Sequence, residues 1–147
     1  MGMFTSFDIN ASGLTAQRYR MDIISENVAN ANTTRTKDGT PYVRKVVTFT
    51  EKGKQTPFSR VLNRATDHYS GTGVKVSGVY EDKVTPMNMV YDPAHPDADE
   101  NGYVHYPNVN IVTEMTNLID ATRSYEANAT AFNATKSMAM KGLGIGK

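Results

Sequence analysis

Cysteine is absent from the 147 residues, which excludes disulfides, thiolate metal sites and cysteine nucleophiles. That absence fits either side of a membrane. Charge of one sign is also lacking. The formal net charge is +1, so no global field points to nucleic acid or acidic lipid. No run of about 18 apolar residues occurs, so no bilayer span is expected. The N-terminus lacks the basic-then-apolar order of a secretory leader. Asp8 and Asn10 interrupt the apolar Met3, Phe4 and Phe7, and Arg18 and Arg20 come too late. If the chain leaves the cytoplasm, a route other than a cleaved signal peptide is therefore expected.

Catalytic constellations are equally scarce. His68, His95 and His105 form no pair at the i, i+4 spacing of a helical zinc site, and each is simplest as a surface or turn residue. Ser70-Gly71 lacks the context of a nucleophile elbow, and Gly71-Thr72-Gly73 is too short to cradle a phosphate. The expectation is a non-enzyme with no cofactor and no small-molecule substrate.

What is present is helical at both ends. Phe7, Leu14, Met21 and Val28 recur every seven residues, with Asn10, Gln17, Ile24 and Ala31 as a companion seam. Toward the C-terminus, Ile111, Met115, Leu118, Thr122, Tyr125, Ala129, Phe132, Lys136 and Ala139 alternate spacings of four and three. Each pattern puts one stripe on one side of a helix, over residues 7–31 and 108–141. Asn27, Asn30 and Asn32 are the stop signals of the first helix, Asn108 is the expected N-cap of the second, and Gly142, Gly144 and Gly146 are its expected end. Both strips are poor in charge and rich in Asn, Thr and Ala on every face, so burial on several sides within an assembly is expected. Small residues bury little apolar area each, and the strips are expected to be weakly ordered in the free monomer.

Residues 42–106 have β character. Residues 42–50, 58–62, 89–91 and 103–106 are candidate strands, as is the run holding Val74, Val76 and Val79. Asp92-Pro93-Ala94-His95-Pro96-Asp97 is a proline-stiffened loop. The fold class is therefore α+β. Long N- and C-terminal helices pack together as a coiled-coil-like assembly core, with a small central β-rich module. The expected divisions are 1–34, 35–107 and 108–147.

Charge is even in total but not in place. Residues 35–64 carry eight Lys/Arg against Asp38 and Glu51, a net of +6, and residues 81–120 carry eight acids against Lys83, a net of −7. Two solvated faces explain this, and so does head-to-tail attraction between copies. Tyr42, Phe49 and Phe58 interleave the basic stretch, as in a single-stranded nucleic-acid groove. They fit the strand pattern of a small core better, so no nucleic-acid partner is expected.

Asp97-Ala98-Asp99-Glu100-Asn101-Gly102 matches the first half of a calcium loop. The twelfth position, which should be glutamate, is Asn108, and helical flanks are missing. A plain polar turn is favoured. A secreted calcium-binding structural or adhesion module is the alternative.

Ser25-Glu26-Asn27-Val28-Ala29-Asn30-Ala31-Asn32-Thr33 resembles the N-terminal signature of the flagellar rod and hook family, and Ser124-Tyr125-Glu126-Ala127-Asn128 resembles the paired C-terminal signature. Tyr42 to Phe49, Gly73-Val74-Lys75-Val76, Val90-Tyr91-Asp92-Pro93, Asn101-Gly102-Tyr103-Val104 and Pro107-Asn108-Val109 narrow the resemblance to a proximal-rod member. It covers nearly the whole chain, although the stretch 54–68 is longer than the family pattern. The resemblance implies a structural subunit of the bacterial flagellar basal body, in the cell envelope outside the cytoplasmic membrane. It implies terminal helices that polymerise as part of the motor drive shaft and export channel, and export through the flagellar type III apparatus. The implied partners are copies of the chain itself, other rod proteins, the membrane–rod junction protein, the distal rod and the export apparatus. Stripes and signatures together nominate an assembly interface of Phe7, Leu14, Met21, Ile24, Asn27, Val28, Asn30, Thr33, Ile111, Met115, Leu118, Tyr125, Asn128 and Phe132.

Overall fold

The structure, a computed structural model, describes residues 3–53 and 72–145, with side chains from residue 5. The expected strand at 58–62, His68, Ser70-Gly71 and the conformation of 54–68 lie outside the described residues.

The chain is α+β. Helix α1 (Met3–Ala29) is followed by strands β1 (Lys45–Glu51), β2 (Val74–Glu81), β3 (Asn88–Tyr91) and β4 (Tyr103–Tyr106), then by helix α2 (Ile111–Gly144). β1 pairs with β2, and β3 pairs with β4, in two separate two-stranded sheets. The terminal helices pack together, with the small β elements between them in sequence, as the hydropathy pattern predicts.

Each boundary has a local cause. On α1 the exposed positions Asp8, Ala11, Thr15, Arg18, Asp22, Ser25 and Ala29 form one solvent line, while Ala16, Ile24 and Asn27 are buried. The helix closes at Asn30, whose backbone N–H and side-chain amide both donate to the Glu26 carbonyl, each at 3.0 Å. The following chain turns at Gly39, whose φ of 77° is the left-handed conformation that glycine adopts without cost.

α2 starts two residues later than an Asn108 cap requires. Its N-cap is Asn110, whose Oδ1 accepts the backbone N–H groups of Val112 at 3.0 Å and Thr113 at 3.2 Å. Glu114 in the first turn and Lys141 in the last suit the helix dipole. The helix passes through Gly142 and ends at Gly144.

The chain divides into two compact units, each holding part of both helices. One comprises Met1–Arg18, Phe49–Ser77 and Thr122–Lys147. There, the Phe7 and Phe132 rings meet edge to face at 5.1 Å. Asn10 Nδ2 lies 3.5 Å from Thr135 Oγ1. A Cβ on Gly13 would stand 3.0 Å from Asn128 Oδ1, so the missing side chain admits Asn128 against α1. The start of β2 is fastened to α1 by Ser12, whose Oγ accepts the Val74 N–H at 3.0 Å and donates to the Ile9 carbonyl at 2.7 Å. A Cβ on Gly73 would collide with that hydroxyl, and its φ of 89° also favours glycine.

The other unit comprises Tyr19–Thr48 and Gly78–Ala121. Its buried residues include Ile24, Ala31, Tyr42, Val104 and Ala121. Three buried residues are polar, and they define its chemistry: Asn27, Asn108 and Glu114.

Candidate functional site

The strongest constellation is a buried polar latch in this second unit. Asn27, near the end of α1, is 1% exposed and uses all its amide capacity. Its Nδ2 donates to the Lys45 carbonyl at 2.8 Å and to Glu114 Oε2 at 3.1 Å. Its Oδ1 accepts the Tyr42 hydroxyl at 2.8 Å and the Lys45 N–H at 2.9 Å. Four groups on three segments are thereby set by one side chain.

Glu114, also 1% exposed, anchors the first turn of α2. Its Oε1 accepts Arg44 Nε at 2.9 Å and Nη2 at 2.7 Å. Arg44 Nη1 reaches Asp82 Oδ2 at 3.5 Å. A carboxylate this deep is tolerated because charge-assisted hydrogen bonds compensate its lost hydration. Asn108 completes the latch. Its Oδ1 accepts the Arg44 N–H at 2.9 Å, and its Nδ2 donates to the carbonyls of Asp82 at 2.7 Å and Thr85 at 3.1 Å. Asn108 is thus a tie between loops rather than the expected helix cap.

Two ionisations respond to this setting. Burial first, then the carboxylates of Glu26 and Glu114, push the Tyr42 phenol up to about 12. The Thr85 backbone N–H first, then its hydroxyl, hold the Asp82 carboxyl below the usual range, with help from the Val84 N–H and Arg44. Hydrogen bonds offered to an ionised carboxylate favour that form. The latch is a positioning network. It holds α1, the chain before β1, and the start of α2 in one geometry.

The nominated interface residues divide by burial. Ile24 and Asn27 are buried within the chain. Phe7, Leu14, Met21, Val28, Asn30 and Thr33 are half-buried, as are Leu118, Tyr125, Asn128 and Phe132. Asn30 is engaged locally: besides closing the helix, its Oδ1 accepts the Thr33 hydroxyl at 3.2 Å. Asn128 Nδ2 donates to the Ser124 carbonyl at 3.0 Å while facing Gly13.

Ile111 and Met115 are exposed, so only part of the expected stripe on α2 is covered within the chain. The line Leu118, Tyr125, Phe132 and Ala139 is covered as expected. Its covered companions are Glu114, Ala121, Asn128 and Thr135; of the expected second seam Ala129 is half-buried, whereas Ile111, Met115, Thr122 and Lys136 face outward. Within the chain the covered companions are polar or small, so apolarity alone does not mark the face that α2 buries against its own fold. Exposed apolar residues then form a row at the start of α2: Ile111, Val112, Met115 at 55% and Ile119 at 52% exposed. Beside it lies a groove of about 500 Å³ lined by Pro86, Asn88, Pro107, Val109, Ile111 and Val112. Met138, Met140 and Leu143, farther along the helix, are exposed as well.

The opposed charge stretches also meet inside one chain. Arg35 lies 3.6 Å from Asp97, and Arg44 pairs with Asp82 and Glu114. The calcium-loop sequence folds as a turn bonded to protein groups. Asp97 accepts the Thr34 hydroxyl at 2.8 Å, and Asp99 Oδ1 accepts the N–H groups of Asn101 at 2.9 Å and Tyr103 at 2.8 Å. Among the described residues no group of three or more His, Asp or Glu is placed to hold a metal ion, and no helix is long and apolar enough to cross a membrane.

Comparison with known proteins adds the family. Residues 7–37 match the model described as "Flagella basal body rod protein", and residues 100–145 match "Flagellar basal body rod FlgEFG protein C-terminal". The chain is 50% identical to the flagellar basal-body rod protein FlgC of Bacillus subtilis, with 100% of both chains covered. It is 44% identical to that of Borreliella burgdorferi, over 99% of this chain and 98% of the relative. It is 40% identical to that of Salmonella typhimurium, over 100% of both.

Proposed function

The chain belongs to the FlgC family of flagellar basal-body rod proteins, and from that premise we propose that it polymerises through its terminal helices into the proximal part of the rod. It is a structural protein of the basal body, not an enzyme, and it assembles with other rod components. The finer reading is a segment of the motor drive shaft around the export channel, outside the cytoplasmic membrane. Segments 1–34 and 108–147 carry assembly, and 35–107 forms the module between them. Its neighbours are further copies, other rod proteins, the membrane–rod junction protein and the distal rod. It travels through the type III export apparatus unfolded.

One observation supports polymerisation most directly. The apolar row of Ile111, Val112, Met115 and Ile119 is open to solvent, although its own helix has a covered face elsewhere. A row of exposed aliphatic side chains beside a groove lined by both apolar and polar residues is what an obligate neighbour covers.

The test uses residues that the isolated chain does not bury. Met115→Asp and Ile119→Asp are expected to leave the thermal unfolding of the purified chain within about 0.5 kcal/mol of wild type. Both are expected to abolish swimming and lower basal-body yield, because a desolvated carboxylate recurs in every copy of the interface. Normal motility in both variants would remove this row from the assembly surface. Ile24→Asp is a poorer test, since Ile24 is buried within the chain.

A further inference from the structure

The β3–β4 hairpin carries a second unpartnered surface. The strands are antiparallel, with Met89 opposite His105, Val90 opposite Val104, and Tyr91 opposite Tyr103. Alternation sends Val90 and Val104 to one face and Met89, Tyr91, Tyr103 and His105 to the other. Val104 is fully buried, which marks the first face as the inner one along β4, although Val90 opposite it on the edge strand is 43% exposed. On the outer face Met89 is 63% and Tyr91 65% exposed, and the Tyr91 and Tyr103 rings stand edge to face at 5.3 Å. Tyrosine and methionine at this density on open surface are the composition of an interface centre.

The rim supplies a sign. Asp92 follows Tyr91 directly; it is half-buried, its N–H is bonded to the Gly102 carbonyl across the hairpin end, and its Oδ1 accepts the Ala94 N–H at 3.2 Å. Asp99 lies 4.0 Å from His105, and Glu100 is exposed next to it. The in-chain ion pairs of lysine and arginine use Glu26, Glu81, Asp82, Asp97 and Glu114. Among the described residues, no lysine or arginine pairs with Asp92, Asp99 or Glu100. On the basic side, Arg35, Arg44 and Lys45 are used in the same pairs. The stretch 52–64 is basic in sequence, with Lys52, Lys54, Arg60 and Arg64, no acid, and apolar Phe58, Val61 and Leu62.

We propose that the outer face of the β3–β4 hairpin, with its exposed Asp99–Glu100 rim, docks a second copy of the chain through that copy's residues 52–64. The apolar side chains cover the tyrosines, and the cations meet the rim and the ring faces. The proposal rests on reading the chain as an assembly subunit, but it concerns a surface separate from the α2 row.

The test is a labelled synthetic peptide of residues 52–64, titrated into the purified full chain and followed by fluorescence anisotropy. Saturable binding is expected, weakening as salt rises from about 0.05 to about 0.5 M. Glu100→Lys and Met89→Lys alter exposed side chains that make no hydrogen bond among the described residues, and circular dichroism would verify that each variant stays folded. Each is expected to weaken binding about tenfold or more. Met115→Asp is expected to leave it unchanged, so failure of the α2 row and failure of this surface are distinguishable. No saturable binding, binding indifferent to both lysine variants, or equal binding of a scrambled peptide would each overturn the proposal.

Discussion

Asn27 shows how much one amide can determine. It gives two hydrogen bonds and takes two, and its partners come from Tyr42 before β1, from Lys45 at the start of β1, and from Glu114 on α2. Removing it strands several buried groups at once, whereas removing one partner leaves the others in place. Asn27→Leu is therefore expected to destabilise the chain by roughly 3–5 kcal/mol, and Tyr42→Phe by about 1 kcal/mol, in urea unfolding. Equal effects would mean that the network is not centred on Asn27. The raised Tyr42 ionisation adds a pH dependence. Folded Tyr42 holds its proton up to about 12, while the unfolded phenol loses it near 10.0. Between these values the native chain binds more protons than the unfolded one, so stability falls as pH rises. The contribution is intact below the unfolded value and is lost through the folded one. Tyr42→Phe is expected to flatten that alkaline limb, and an unchanged slope would assign it to other groups.

Among the elements, what was legible in the sequence was what hydrophobicity and turn chemistry report. Both helices, four of the strands and the Gly102 turn fall where the pattern places them. What the pattern did not mark shares one cause. Asn108 has the right type for a cap and the right neighbourhood, but its amide reaches three loop groups, and Asn110 caps instead. Within the chain, α2 covers Glu114, Ala121, Asn128 and Thr135 because specific bonds and close approach, not apolarity, cover that side. The two charge stretches gave no hint that Arg44 and Glu114 would meet, because pairing across the fold leaves no mark in spacing. Gly13 was invisible for a similar reason: its use depends on Asn128 arriving opposite. These two asparagines can be separated by experiment. Asn110→Ala is expected to cost about 1 kcal/mol, as for an ordinary N-cap. Asn108→Ala is expected to cost more, roughly 2–4 kcal/mol, since it leaves the Arg44 N–H and two carbonyls without their partner. The reverse order in thermal melts would return the cap to Asn108.

At the scale of the molecule, the two units are held by different means. In the second, the latch fixes the end of α1 and the first turn of α2 by buried, charge-assisted bonds. In the first, the contacts between the helices among the described residues include an edge-to-face aromatic pair, a long amide–hydroxyl bond and the Gly13–Asn128 approach. Much of the helix surface there is small or polar, from Ala127 to Thr135. Small side chains remove little apolar area from water, so they offset little of the entropy of ordering a helix. Both helices should therefore be uneven along their length in the free chain. Native-state hydrogen exchange of the purified monomer is expected to show slow exchange for amides in 19–29 and 111–121. Residues 5–18 and 122–144 should exchange faster by at least about tenfold, reflecting local opening without global unfolding. Asn27→Leu should erase the difference by loosening the protected halves, because the latch is what distinguishes them. Uniform protection along α2, from Ile111 to Gly144, would mean that the helix is held along its whole length. The expectation that its terminal part becomes ordered only among neighbours would then fail.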